Sequence, residues 1–250
     1  LEYLNKIRAR FSMTYPYENL SILAGQAVSI KPTDLAAKMI GTQRGGYCFE
    51  LNGLFKWALE QLGFEVKSYL GRVWLRDPQR IPPRNHGTNV VTFEGEPYLT
   101  DVGFGARAPR RIISLRDLDR EIYDGDAEDE PIRIIRCAEF GFMVQRRIDN
   151  KWCNQFSFEE SPAHQSDIEV ANFFQSVSPN SHFRENLFAG LFTTDGRVGL
   201  FNNRLTHRRG SQVEIEIIRD QERLQKILSK EFNLDPSPFS ALLSNICGSS

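Results

Sequence analysis

One cysteine in this sequence stands where a reactive thiol is expected. Cys48 follows Gly45 and Gly46 at the start of the strongest helical pattern in the chain, in which apolar residues recur at helical spacing from Leu51 to Leu62. The free N–H groups and the positive dipole end of a helix N-terminus stabilise an anion, and so favour a thiolate over a thiol. The sequence therefore predicts Cys48 as a nucleophile; the alternative is a small buried apolar residue.

A histidine and an aspartate farther along the chain could activate that thiol. His86 precedes one predicted strand, residues 88–93, and Asp101 lies near the end of the next, residues 98–102, across a tight turn. Neighbouring antiparallel strands lie about 5 Å apart, so we expect the imidazole and the carboxylate within side-chain reach of each other. A thiol, a base and a group that orients the base, in this order, form a papain-like arrangement. The alternative is a surface histidine and a turn aspartate without a joint role.

The periodicity along the chain predicts the parts that would position these three residues. Residues 1–64 have helical spacing and predict a helical bundle that carries the cysteine. Residues 65–160 change to a period of two and predict an antiparallel β-barrel or rolled sheet that carries the histidine and the aspartate. Residues 161–188 predict a linker with a helix, and residues 189–250 predict a small mixed α/β part. The expected fold class is therefore α+β in three parts.

Composition excludes several other kinds of protein. The chain has 250 residues, with 31 Lys and Arg against 32 Asp and Glu, and this net charge of −1 argues against general binding of nucleic acid or anionic membranes. The four cysteines, at positions 48, 137, 153 and 247, form no short-spaced set with each other or with histidine, so we expect no metal site and no disulfide scaffold. No apolar run is long enough to cross a membrane, and we expect a cytoplasmic location.

The motifs around these residues resemble those of the arylamine N-acetyltransferase family. Residues 44–50, Arg-Gly-Gly-Tyr-Cys-Phe-Glu, are similar to the family signature RGGxCxE. Residues 98–105 resemble the segment around the family's aspartate, and His86 comes fifteen residues before that aspartate. Residues 17–20 are similar to the family's FENL segment, and residues 178–183 to its linker motif. The resemblance implies a helical bundle, a β-barrel and an α/β lid.

The resemblance also implies a role for each matching residue. Cys48 would be the acylated nucleophile, His86 its base and Asp101 the orienting carboxylate. Arg44 and Glu18 would form an ion pair that braces the active-site loop. The remaining positions would contact substrates, the aromatic pair lining the acceptor pocket and the other pair lying along the coenzyme A arm: Phe104 and Tyr17, and Gly105 and Asn85. Position 17 is usually phenylalanine in the family.

The activity that the resemblance implies is acyl transfer. An acetyl group would move from acetyl-coenzyme A, a co-substrate rather than a permanently bound cofactor, through a thioester on Cys48. The acceptor would be the nitrogen of an arylamine or hydrazine, or the oxygen of an N-hydroxyarylamine. Three alternatives remain. The first is a macrolactam-forming amide synthase of the same family. The second is a papain-like cysteine peptidase or transglutaminase with Gln43 as an oxyanion donor. The third is a non-catalytic protein that binds small molecules.

Overall fold

The structure, a computed structural model, describes residues 1–75, 78–123 and 130–247. Its N-terminal part is mostly helical. The helices are α1 (Glu2–Thr14), α2 (Leu20–Leu23), α3 (Pro32–Ala36), which continues as the π-helical turn Ala37–Gly41, and α4 (Cys48–Gln61). Helix α4 buries the apolar face that the sequence predicts, and this face packs against the first strands of the neighbouring sheet.

Seven antiparallel strands follow the helices and form one curled sheet. The strands are β2 (Glu65–Val73), β3 (Arg84–Phe93), β4 (Glu96–Leu99), β5 (Ile113–Ser114), β6 (Ile132–Cys137), β7 (Gly141–Ile148) and β8 (Lys151–Phe158), in the order β5-β4-β3-β2-β8-β7-β6. The interior of the sheet is apolar, with Val90, Ile134, Val144 and Phe156 among its buried residues.

Two strand boundaries near the site differ from the sequence prediction. The sequence places His86 before a strand, but β3 begins at Arg84, so His86 is its third residue. The sequence also places Asp101 at the end of a strand over residues 98–102, but β4 ends at Leu99, and Asp101 lies in the following loop, where its carboxylate accepts the N–H of Gly103. Pro82 and Pro83 precede β3, and proline has no N–H to donate to a ladder, so regular pairing begins as soon as they end. A register shift in β2 between Gly71 and Arg72 adapts the partner strand to this early start.

The C-terminal part combines helices with a second antiparallel sheet. Helix α5 (Gln165–Val177) leads into β9 (Phe188–Phe192), β10 (Arg197–Phe201), β11 (Arg204–Arg209) and β12 (Gln212–Ile217), and then into α6 (Gln221–Glu231) and α7 (Ser240–Cys247). The fifth strand of this sheet is β1 (Tyr17–Glu18), which lies at its edge and pairs with β9. Residues 1–64 are therefore not helical throughout: Tyr17 takes an extended conformation opposite Gly190, a partner that no local pattern indicates. Among the described helices, none is long and apolar enough to cross a membrane.

Candidate active site

Cys48 is the first residue of α4 and is buried, with a relative exposure of 3%. The two glycines before it are required by close packing. A Cβ on Gly45 would lie 1.8 Å from the carbonyl oxygen of Pro16, and one on Gly46 would lie 2.6 Å from the Cβ of Glu50. Only a chain without side chains at these two positions can bring Cys48 to the start of the helix in this way.

His86 and Asp101 lie together beneath the start of α4. The Nε2 atom of His86 is 2.5 Å from Oδ2 of Asp101, and both side chains are almost fully buried. The Cys48 thiol also interacts with His86, and this interaction helps to raise the pKa of the imidazole. Because Nε2 is directed to the carboxylate, the other ring nitrogen, Nδ1, is left for the thiol. The structure thus brings together the three residues that the sequence predicts as a set.

The carboxylate of Asp101 is fixed by further hydrogen bonds. Its Oδ1 accepts one from the side chain of Asn52 at 3.1 Å and one from the N–H of Gly103 at 2.7 Å. Asn52 also donates to the carbonyl oxygen of Gly87 at 2.7 Å, and so it joins α4 to β3. The carbonyl oxygen of Asp101 accepts a hydrogen bond from the buried guanidinium of Arg8 at 2.9 Å. Asp101 is therefore held by helices α1 and α4 as well as by its own loop.

This environment makes the histidine a strong base. Burial opposes the charged imidazolium, but the negative charge and hydrogen bond of Asp101, with those of Cys48, outweigh burial and raise the pKa of His86 to about 10. Burial likewise opposes the charged form of Asp101. The charge and hydrogen bond of His86, with the hydrogen bonds from Asn52 and Gly103, nevertheless lower the pKa of Asp101. A protonated imidazole between a carboxylate and a thiol is an arrangement that can support nucleophilic catalysis by the sulfur.

Two aromatic residues and a glycine border this set. The Phe104 ring lies 4.9 Å from the His86 ring, measured between centroids. Tyr17 packs against the apolar cluster that contains Cys48. Gly105 has a φ of +59°, and a Cβ there would meet the Tyr17 ring at 3.6 Å. The positions predicted to face the acceptor are therefore close to the thiol and the imidazole.

Asn85 precedes His86 in β3 and is half-buried. Its side-chain oxygen is buried and has no hydrogen-bond partner in the described parts of the chain. A buried carbonyl oxygen without a partner is unfavourable, and an N–H group from a bound molecule could supply the missing donor.

Arg44 and Glu18 form the ion pair that the resemblance implies. Nη2 of Arg44 lies 2.7 Å from Oε1 of Glu18, whose side chain is fully buried. The other carboxylate oxygen of Glu18 accepts the N–H of Leu20 at 2.7 Å. Burial opposes the charge of Glu18, but Lys38, Arg44 and the Leu20 N–H outweigh burial and lower its pKa. The pair ties β1 to the turn that precedes Cys48.

Sequence reasoning missed the side chains that hold Asp101. Asn52 lies four residues after Cys48, and this spacing places both on one face of α4, so the helical pattern contained a usable signal. Arg8 offered a weaker signal. It is a charged residue in the first predicted helix, and the structure buries its side chain to 1% exposure. Within residues 1–75, 78–123 and 130–247, no group of three or more metal-ligating side chains could hold a metal ion.

Comparison with known proteins identifies the family of this chain. A family model described as N-acetyltransferase matches residues 1–237. The arylamine N-acetyltransferase / N-hydroxyarylamine O-acetyltransferase of Salmonella typhimurium is 35% identical over 238 residues, which cover 94% of this chain and 82% of the relative. The chain belongs to the arylamine N-acetyltransferase family. It is an acetyltransferase, as the resemblance of its motifs predicts.

Solved structures of arylamine N-acetyltransferases confirm the predicted fold class. The structure from Mycobacterium tuberculosis superposes with a TM-score of 0.91 at 30% identity and covers 98% of this chain and 93% of its own. The Mycobacterium marinum structure in complex with CoA has a TM-score of 0.91 at 28% identity, and covers 99% of this chain and 92% of its own. The α+β fold with a papain-like arrangement is therefore that of the arylamine N-acetyltransferases.

Proposed function

We propose that this acetyltransferase moves an acetyl group from acetyl-CoA through a thioester on Cys48 to the nitrogen of an arylamine or hydrazine. The observation that carries the proposal is the buried row of thiol, imidazole and carboxylate, in which Asp101 raises the pKa of His86 to about 10. An imidazole that keeps its proton at neutral pH gives a thiolate a cationic partner. The Mycobacterium marinum relative binds CoA, which supports acetyl-CoA as the co-substrate.

In the first half-reaction, the Cys48 thiolate attacks the carbonyl carbon of acetyl-CoA. The first N–H groups of a helix have no partner within it, and those near Cys48 would stabilise the oxyanion that forms. The bond between the acetyl carbon and the CoA sulfur then breaks, and the imidazolium of His86 gives its proton to the departing sulfur. The products are acetyl-Cys48, CoA and a neutral His86.

In the second half-reaction, the acceptor nitrogen attacks the acetyl-thioester. His86, now neutral, takes the proton that the amine loses, and the Cys48 sulfur leaves as a thiolate. The amide departs, and the thiolate–imidazolium pair is restored. A thioester suits an aromatic amine, which is a weak nucleophile, because a thiolate is a good leaving group. The same route delivers the acetyl group to the oxygen of an N-hydroxyarylamine, an activity that the name of the Salmonella typhimurium relative includes.

The residues around Cys48, His86 and Asp101 would serve the two substrates separately. Phe104 and Tyr17 would line the acceptor pocket, because their rings lie beside the imidazole and the thiol. The pantetheine arm of CoA contains amide N–H groups, and the unpartnered side-chain oxygen of Asn85 could accept one of them. Gly105 would leave room for that arm. Arg44 and Glu18 would not touch substrate; their ion pair would brace the turn before Cys48.

The acetylation of Cys48 can be tested by mass spectrometry of the intact protein. After incubation with acetyl-CoA and no amine, we expect a mass gain of one acetyl group, located on Cys48 and lost when an arylamine is added. Cys48→Ser should gain nothing, whereas Cys153→Ser, at a half-buried cysteine outside the site, should be acetylated normally. Wild-type protein that stays unmodified, or a Cys48→Ser protein that is acetylated, contradicts the proposal.

Steady-state kinetics test the order of the two half-reactions. If CoA leaves before the amine reacts, double-reciprocal plots at several amine concentrations should be parallel. Intersecting lines would instead indicate direct transfer in a ternary complex. The same assays separate the alternatives: an amide synthase would form no acetyl-enzyme from acetyl-CoA, and a peptidase would cleave peptides in its absence.

A further inference from the structure

Lys38 is a charged residue that the sequence motifs do not single out. It lies in the π-helical turn Ala37–Gly41. Turns of this kind are rare in proteins, and many of those that occur lie at functional sites. Its Nζ is 2.7 Å from Oε1 of Glu50 and 3.6 Å from Oε1 of Glu18. The Lys38 side chain is 20% exposed, whereas those of Glu50 and Glu18 are 3% and 0% exposed. One lysine thus links two buried carboxylates.

The backbone of Lys38 also holds the turn before the active-site helix. Its carbonyl oxygen accepts the N–H groups of Thr42 and Arg44, each at 3.3 Å, and the hydroxyl of Thr42 at 2.6 Å. Between them, Gln43 has a φ of +53°, so the chain reverses sharply here. Lys38 therefore contacts the region around Cys48 in two ways, through its backbone carbonyl oxygen and through its side-chain ammonium.

Glu50 connects Lys38 with the helix start. Its Oε2 accepts the N–H of Tyr47 at 3.1 Å, and this hydrogen bond caps the first turn of α4. Burial raises the pKa of Glu50 and the charge of Glu18 adds to this rise, while Lys38 and the Tyr47 N–H oppose it. Without Lys38, the cap would be a buried carboxylate that has lost its ion pair.

The charge of that carboxylate matters because Cys48 follows Tyr47 directly. A negative charge within one helical turn disfavours a thiolate, and a cation beside it cancels the effect. We propose that Lys38 is a positioning residue for acetyl transfer: its ammonium holds Glu50 as a charge-balanced cap on α4 and so keeps Cys48 in its anionic form. This inference rests on the proposed role of Cys48 as the nucleophile.

The charged and titratable groups around Glu50 determine what its variants should do. Lys38 faces it from the π-helical turn, and Glu18 and Tyr17 face it from β1. Tyr47 and Cys48 lie beside it at the start of α4, with His86 beyond Cys48. Lys38 and Arg44 carry two positive charges, and Glu18 and Glu50 carry two negative charges, so the cluster is neutral. Lys38→Met leaves one negative charge in excess, and Lys38→Met with Glu50→Gln restores neutrality.

The test is the rate at which iodoacetamide alkylates Cys48 in the full chain from pH 5 to pH 9. At pH 6, we expect Lys38→Met to react about three- to tenfold more slowly than wild type, with its rise shifted to higher pH. Lys38→Arg keeps the cation and should behave as wild type, and Glu50→Gln should react at least as fast. The double variant should return to within about twofold of wild type.

The matched control is Lys56→Met on α4, the helix that carries Glu50. Lys56 pairs with Glu60 one turn farther along α4, so the same charge is removed away from the cap, and the profile should not move. A Lys38→Met profile identical to wild type overturns the proposal. So does a double variant that reacts no faster than Lys38→Met, because removal of the Glu50 charge would then restore nothing and the lysine would act through packing alone.

The two proposals can fail separately. If wild-type protein gains an acetyl group from acetyl-CoA but its alkylation rises only near pH 8.5, the value of an ordinary thiol, Cys48 is still the nucleophile and the role of Lys38 is wrong. If no acetyl group is gained, the proposed function itself fails, whatever the alkylation profiles show. Should Lys38→Met not fold, Glu50→Gln still decides: it removes the negative charge and keeps the lysine, so its rise should move to lower pH, and a rise that moves to higher pH overturns the proposal.

Discussion

Two histidines in this protein each lie against a carboxylate through Nε2. His86 and Asp101 are separated by 2.5 Å, and their side chains are 3% and 0% exposed. His207 and Glu231 are separated by 3.2 Å, and their side chains are 25% and 39% exposed. Each pair joins an imidazole to a carboxylate through the same ring atom, and in the described parts of the chain the first pair also interacts with a thiol, that of Cys48.

The difference shows that surroundings, rather than residue type, make such a pair chemically useful. His207 lies on β11 and Glu231 at the end of α6, where water and salt screen their interaction. Asp101 is shielded from water and receives hydrogen bonds from Asn52 and Gly103 in addition to that of His86. Because this carboxylate is anchored and buried, its charge acts on the imidazole with little screening.

The largest expected effect comes from removing the thiol that interacts with His86. Cys48→Ser should lower the rate of acetyl transfer by several orders of magnitude, because a hydroxyl offers no accessible anion at neutral pH. Cys137→Ser and Cys153→Ser, at half-buried positions, should retain activity. Turnover measured with acetyl-CoA and an arylamine checks this, and a Cys48→Ser rate near wild type would refute the mechanism.

The second variant removes the negative charge of the buried pair. Asp101→Asn should lower turnover about a thousandfold or more and slow alkylation of Cys48 at pH 6, since the imidazolium loses its anionic partner. Glu231→Gln is the matched change in the exposed pair and should leave both rates unchanged. Equal effects of the two substitutions would show that burial does not distinguish the pairs.

The third variant removes one anchor while keeping the pair intact. Asn52→Ala deletes the hydrogen bonds to Asp101 and to the Gly87 carbonyl, and we expect turnover to fall about ten- to hundredfold. Asn154→Ala, in the curled sheet outside the site, removes an amide that accepts from Gln145 and should have little effect on turnover. Similar losses in both variants would indicate general destabilisation instead of loss of an anchor.

The last expected effect is on stability against pH. The raised pKa of His86 means that the folded protein holds a proton that the unfolded chain releases above about pH 6.5. The resulting stabilisation is complete below that pH and is lost as the pH rises toward about 10, so the free energy of unfolding should fall by up to about 1.4 kcal/mol per pH unit.

Denaturant unfolding in the Cys48→Ser background measures this slope without titration of that thiol. Asp101, which contributes most to the rise in the pKa of His86, is still present in that background. Adding His86→Gln should remove most of the slope between pH 7 and pH 10. If the single and the double variant lose stability equally over this range, the histidine does not carry a proton in the folded protein.

Much of the site could be predicted from the sequence because its parts are locally encoded. The apolar spacing of α4 and the glycines before Cys48 mark a helix N-terminus over a few residues. The alternation of β3 and the short turn to β4 bring His86 and Asp101 toward each other within fifteen residues. Backbone hydrogen bonding and side-chain periodicity depend on near neighbours, so such features can be recognised without the fold.

Other parts of the site depend on segments that meet only in the folded chain. Arg8 reaches the carbonyl of Asp101 across a sequence separation of 93 residues. Tyr17 takes an extended conformation because Gly190 lies opposite. Lys38 lies between Glu18 and Glu50, which belong to different elements. Long-range pairs of this kind have no local signature, and their existence is decided by packing.

The sequence by itself determined the family, the fold class and the identity of the three residues in the row, because short motifs and periodic patterns specify them. Only the tertiary structure decided how strongly those residues interact. Local patterns bring His86 and Asp101 together, but they do not specify how deeply this pair, or the pair at His207, is buried. Burial beneath α4 removes water from one pair and leaves it around the other, and the strength of a charge interaction depends on that solvent.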